Sequence, residues 1–237
     1  MPEAEEPSEL IEAVARLYQV FARLPRRAGI EFDASDQDAS PQERRELART
    51  PLRDLQAGLL STFVLNATSW TWGTPDDVWY YLPRILELVA AGELAPGDLW
   101  GLFRAMGQYW RNWPHDQQEA LLRYMMALWR ATLSGYWHPA AFTATDVLAA
   151  ASNLGLPAKQ YLSVWETSPG ESPALHLAWL IRNRTRNNDA LERQLDQWLA
   201  GPAPRRVLER ALRAASTPEV AINLSAASAD LGRARGG

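Results

Sequence analysis

The chain has 237 residues, of which 47% are hydrophobic, 22% charged and 10% aromatic, and its net charge is −4. At roughly 150 residues per domain, that is one or two globular domains with ample material for a core. Without cysteine there can be no disulfide, thiolate metal site or thiol nucleophile, and the acidic balance argues against a dedicated nucleic-acid binder.

The N-terminus opens acidic, and Glu12 and Arg16 interrupt its first apolar run. A secretory leader needs a basic start followed by an unbroken apolar stretch, so none is expected here. No segment approaches ~18 consecutive apolar residues, which predicts no membrane span and a bacterial-type cytoplasmic location. Residues 1–8 read as a flexible lead-in.

Leu10, Val14, Leu17, Val20, Phe21 and Leu24 recur every three or four residues and predict a helix over Glu9–Leu24, stopped by Pro25. Residues 26–40 are polar and aperiodic, a loop. Ser40-Pro41-Gln42-Glu43 is a capping-box helix start, running to about Arg49. Thr50-Pro51 repeats that signal and predicts a helix continuing towards Leu65. Gly73-Thr74-Pro75-Asp76 marks a turn and a new start. The apolar face that follows to Ala91 contains Pro83, which predicts a kink or a split near Tyr81, because proline in a helix interior costs ~3 kcal/mol.

Further helices are expected over Leu99–Trp110 and Gln117–Leu133, and then at about 143–154, 158–166, 172–182, 188–200 and 203–215. Prolines punctuate them, and no segment alternates with period two. The fold class is therefore all-α, a single helical domain over 9–215 with a subdivision near 135–140. From Thr217 the chain turns to small residues and glycine. A weakly structured tail over 216–237 is expected, disordered from about Ser228.

The prolines of Thr74-Pro75 and Trp113-Pro114 lie 39 residues apart, as do Asp77 and Asp116, and Leu82 and Leu121. That period fits stacked antiparallel helix pairs of an α-solenoid, HEAT-like at ~40–47 residues per repeat. Helices of 12–15 residues joined by short loops produce a similar spacing without any repeat.

Eleven tryptophans are the most unusual feature. Trp79, Trp110 and Trp129 fall on apolar faces and read as core. Trp70, Trp72, Trp113 and Trp137 fall at helix ends or loops and are candidates for a partner-facing surface. With Asp77, and with Arg84 and Arg111 to meet a carboxylate, they make up the candidate binding set. On this reading, alanine at Trp72 or Trp113 weakens partner capture without unfolding the chain.

Asp76 and Asp77 with Glu87, or Asp116 with Glu119, could supply paired acid–base carboxylates of a hydrolase or glycosylase led by Asp77 or Asp116, although aspartate in a first helical turn is also what capping favours. The three histidines have no serine in a nucleophile-elbow setting beside them, and no phosphate loop, HExxH or EF-hand motif is present. No catalytic residue, metal ligand or cofactor is assigned. Residues 182–237 hold ten arginines against six acids. Arg182, Arg184, Arg186, Arg205 and Arg206 could contact phosphates on a nucleic-acid-binding helical repeat, though arginines at helix C-termini are ordinary.

Thr50-Pro51-Leu52-Arg53-Asp54-Leu55, Trp72-Gly73-Thr74-x-x-Asp77 and Leu82-Pro83-Arg84-Ile85-Leu86-Glu87-Leu88, followed by Trp113-Pro114 and a helix ending Leu128-Trp129, resemble a family of bacterial all-helical proteins of unknown function. The likeness covers about residues 15–135, with a weaker echo to about 215, and implies a fold but no activity. Many members of that family carry a Cys-Pro-Cys-Cys cluster where this chain has Ser35-Asp36-Gln37-Asp38, so no metal or redox role transfers. The expectation is a non-catalytic interaction protein whose partner is another protein.

Overall fold

The computed structural model describes residues 8–22, 40–67, 72, 74–107, 109–136, 142–183 and 190–233. It divides into two compact units, Met1–Leu128 and Trp129–Gly237. The sequence places a subdivision near 135–140; the observed boundary falls earlier, inside a helix. The described residues are α-helical with two short 3-10 turns and contain no strand.

The first unit holds α1 (Ser8–Phe21), α2 (Pro41–Arg49), α3 (Ala57–Ala67), α4 (Pro75–Ala90), α5 (Pro96–Met106) and the greater part of α6 (His115–Ser134). α1 packs on α4, and its Leu10, Ala13, Leu17, Val20 and Phe21 are all buried at helical spacing. α3 packs on α4 and α5, and α4 also touches α5. The capping box expected at α2 is formed: Glu43 N–H donates to Ser40 Oγ, and Ser40 N–H donates to Glu43. The helix expected to run from Pro51 to Leu65 is broken at Leu55-Gln56, into a 3-10 turn over Leu52–Asp54 and then α3.

Nor does α4 split at Tyr81. It is one helix through Pro83, and its face of Val78, Tyr81, Leu82, Ile85, Leu86 and Val89 is buried. Pro83 forfeits one backbone bond, but packing on three neighbouring helices holds the element, as tertiary burial commonly does. Two buried hydroxyls pin it further. Tyr81 Oη donates to the Leu47 carbonyl at 3.0 Å and Tyr124 Oη to the Leu86 carbonyl at 2.7 Å. At its C-terminus Gly92 adopts φ 71°, and Glu93 N–H returns to the Leu88 carbonyl, closing a Schellman cap.

The second unit holds α7 (Ala144–Asn153), α8 (Ala158–Thr167), α9 (Ser172–Asn183), α10 (Ala190–Ala200), α11 (Pro202–Arg213) and α12 (Pro218–Arg233). α9 packs chiefly on α12, and α11 touches α8, α9, α10 and α12. α12 occupies the stretch expected to be weakly structured. Leu224, Ala227 and Leu231 are buried, and Arg182 of α9 donates to Asn223 and lies 3.9 Å from Asp230. The apolar positions 224, 227 and 231, at spacings of three and four, supply the buried face that composition alone does not register.

His176 on α9 is buried, with Nε2 2.9 Å from both the Thr132 and Gly135 carbonyls. Two acceptors require that Nε2 carry the proton and donate. Burial lowers the pKa of His176 below its ordinary 6.5, against an opposing pull from those carbonyls and Asp146. The stability this neutral ring contributes is complete above pH 6.5. It is lost as pH falls through the depressed native value, because the unfolded chain then binds a proton that the folded chain resists. Melting temperature should therefore drop on acidification below 6.5, and His176→Gln should flatten that slope while lowering the melting temperature at neutral pH. An unchanged slope in the variant would place the pH dependence elsewhere.

Candidate functional site

Along α1, Ile11 and Val14 lie at i and i+3, with Tyr18 a further turn on, forming a second apolar stripe beside the one buried on α4. Ile11 keeps 52% of its surface exposed. Together with Leu10 it faces α4 and the turn after it across a cleft of about 330 Å³. Leu88 and Ala91 form the apolar opposite wall, and Arg84, Glu87 and Glu93 supply the charge.

Arg84 and Glu87 are fixed. Arg84 Nε donates to the Leu55 carbonyl at 3.0 Å, while Arg84 Nη1 donates to Glu87 Oε2 at 2.7 Å. Tyr18 Oη donates to that same oxygen at 2.6 Å. The Arg53 guanidinium stacks 3.8 Å from the centre of the Tyr18 ring, and its Nη1 reaches 4.0 Å from Glu87 Oε1. Burial works to raise the pKa of Glu87. The bonds from Tyr18 and Arg84, with the charges of Arg84 and Arg53, outweigh it and hold the carboxylate below its ordinary value. Tyr18 moves the other way, pushed up first by burial and then by its bond to Glu87.

A carboxylate so stabilised is a poor proton donor near neutrality, and Tyr18 is equally unsuited to ionise. Among the described residues no serine, threonine or histidine lines the cleft. The arrangement can orient and recognise.

The residues singled out from sequence are distributed differently from the expectation. Trp72 and Trp113 are 0% and 6% exposed, so both are core, and their loop-proximal positions do not make them surface. Trp113 is held edge-on between Phe21 and Trp79, with 5.4 Å between centroids on each side. Alanine at either site is therefore expected to destabilise the unit, the reverse of the sequence-based expectation. Asp77 is buried, and its Oδ2 accepts from both Thr74 N–H and Thr74 Oγ1 at 2.8 Å, the capping role. Asp116 Oδ1 accepts from the Gln117 amide at its own helix start.

Arg84 alone of the proposed partner-binding set lines the cleft. Arg111 is exposed, its guanidinium 5.6 Å from the Trp110 ring. Trp70, Trp137, Arg184 and Arg186 lie outside the described residues. Arg182 is engaged by α12, whereas Arg205 and Arg206 are exposed on α11. Sequence reasoning missed Ile11, Tyr18 and Arg53, and took Glu87 only as a possible acid–base carboxylate. The 11–14–18 stripe was the available signal, because it widens the apolar face of α1 beyond what packing on one helix uses.

Among the described residues no group of three or more His, Asp or Glu side chains could hold a metal ion, and no helix is long and apolar enough to cross a membrane. No family model, curated protein or solved structure matches this chain.

Proposed function

We propose that this chain is a non-catalytic, cytoplasmic, all-helical protein–protein interaction module, and that the α1–α4 cleft receives a segment of its partner. The observation that carries this reading is the pairing of an aliphatic wall, exposed Ile11 and half-buried Val14, with a charge pair immobilised on the opposite side, Arg84 and Glu87. An apolar side chain of the partner would enter between Ile11 and Leu88, and a polar group beside it would meet charges whose geometry is already fixed. Preorganisation of that kind lowers the ordering cost of association. The alternative of a nucleic-acid-binding repeat loses one contributor, because Arg182 is occupied by Asn223 and Asp230.

Ile11→Asp tests it. The side chain is half exposed, so the fold should tolerate the change within ~0.5 kcal/mol, as surface substitutions usually do. Partner capture should fall at least about tenfold, since a carboxylate in an apolar contact is left desolvated and unpaired. Ile222→Asp, an exposed isoleucine of the second unit, should leave capture unchanged. Equal capture by wild type and Ile11→Asp would remove the cleft from the interface.

A further inference from the structure

Charge is divided between the two units. Residues 1–128 carry 19 acidic and 12 basic residues, net −7, whereas residues 129–237 carry nine acidic and 12 basic residues, net +3. Within the second unit, α11 concentrates the excess. It buries Ala203, Pro204, Val207, Leu208 and Ala211 on one side and exposes Arg205, Arg206, Glu209, Arg210, Leu212 and Arg213 on the other.

Arg210 has a structural task, because its Nη1 and Nη2 donate to the Glu166 and Ser168 carbonyls at the end of α8. The other three arginines have none: no carboxylate of the described residues pairs with Arg205, Arg206 or Arg213. Arg205 also stands in the first turn of α11, where the helix dipole disfavours cations, and that turn has no acidic residue to offset it. Helix stability would be better served by the opposite charge. Where a local rule is broken without compensation inside the fold, a binding role is the ordinary reason.

We propose that the outer face of α11 is a docking surface for an acidic amphipathic segment of a partner protein. Arg205, Arg206 and Arg213 would meet its carboxylates, and Leu212 would meet an apolar side chain among them. Two features favour an acidic protein over a nucleic-acid strand. Leu212 is 37% exposed amid the arginines, which suits an aliphatic contact and gives nothing to a phosphate chain. Glu209 lies on the same exposed side and would repel a continuous row of phosphates, but leaves room for spaced carboxylates. This surface belongs to the second unit and stands or falls independently of the α1–α4 cleft.

The test uses the full chain and three fluorescent probes of matched length: a helical peptide with Glu and Leu at three- and four-residue spacing, poly-L-glutamate, and single-stranded DNA. Anisotropy at low salt should rank the Glu/Leu peptide above poly-glutamate and both above DNA, with all binding weakened by added salt. Replacing the three free arginines (Arg205→Gln, Arg206→Gln, Arg213→Gln) should lower peptide affinity about tenfold, three exposed pairs each contributing a fraction of a kcal/mol. Leu212→Ser should weaken the Glu/Leu peptide and leave poly-glutamate unchanged. The double variant Arg205→Gln, Arg206→Gln serves if the triple one does not fold. DNA bound as tightly as the peptide, no peptide binding at low salt, or affinity unmoved by the arginine changes would each overturn the proposal.

Discussion

Trp129→Ala is expected to cost the second unit about 3–5 kcal/mol, the range for removing a fully buried large aromatic. The ring is 0% exposed and stands at the head of a chain of aromatic contacts, 5.8 Å from Tyr161 and 5.3 Å from Trp165, which in turn lies 5.2 Å from Trp198. Truncation leaves a cavity that α8 cannot collapse into without disturbing Trp165, whose Nε1 is tied to the Pro173 carbonyl at 2.8 Å. It also removes the bond from Trp129 Nε1 to the Tyr161 carbonyl, 2.9 Å long. Denaturant unfolding followed by tryptophan emission should show the loss; a cost below about 1 kcal/mol, the level of an ordinary surface change, would mean the aromatic chain is not the core of this unit.

Trp113→Ala should destabilise the first unit by a comparable ~3–5 kcal/mol, since Phe21 and Trp79 both lose the ring between them. Phenylalanine at the two tryptophan sites separates their roles. Among the described residues Trp113 Nε1 is buried with no hydrogen-bond partner, so Trp113→Phe removes an unmet donor as well as volume. Trp129→Phe removes a made bond. Trp129→Phe should therefore cost more than Trp113→Phe by roughly 1–2 kcal/mol, combining a lost bond on one side with relief of an unsatisfied group on the other. Equal costs in the two denaturation curves would contradict that assignment.

Much of this fold was legible because helix signals are local. Ser40-Pro41 and Thr74-Pro75 announce helix starts whose caps form as the chemistry requires, and the capping reading of Asp77 follows from the same logic. Helix C-termini were less legible, although Gly92 stops α4 through its positive φ. Where the expectation failed, a tertiary contact decided. Pro83 remains helical because α1, α3 and α5 pack on α4, and α12 forms because it packs on α9 and α11 and buries Leu224, Ala227 and Leu231. Neither partner is visible within a local window of sequence.

The candidate site shows the same division. Loop-proximal tryptophans read as surface because sequence position is a weak guide to burial, yet Trp113 is drawn inward by two rings from helices far along the chain. Arg84 was identified by type, as a cation available for a carboxylate. Its actual partners are the Leu55 carbonyl and Glu87, and the cleft it borders needed α1 and α4 to be placed together.

The most direct test of a partner-binding cleft is site-specific photo-crosslinking in cells, with a benzophenone side chain introduced in place of Ile11 and, separately, of Ile222. A discrete protein adduct is expected from position 11, absent from position 222 and lost when Arg84→Ala is added. No adduct from position 11, or the same pattern from both positions, would contradict it.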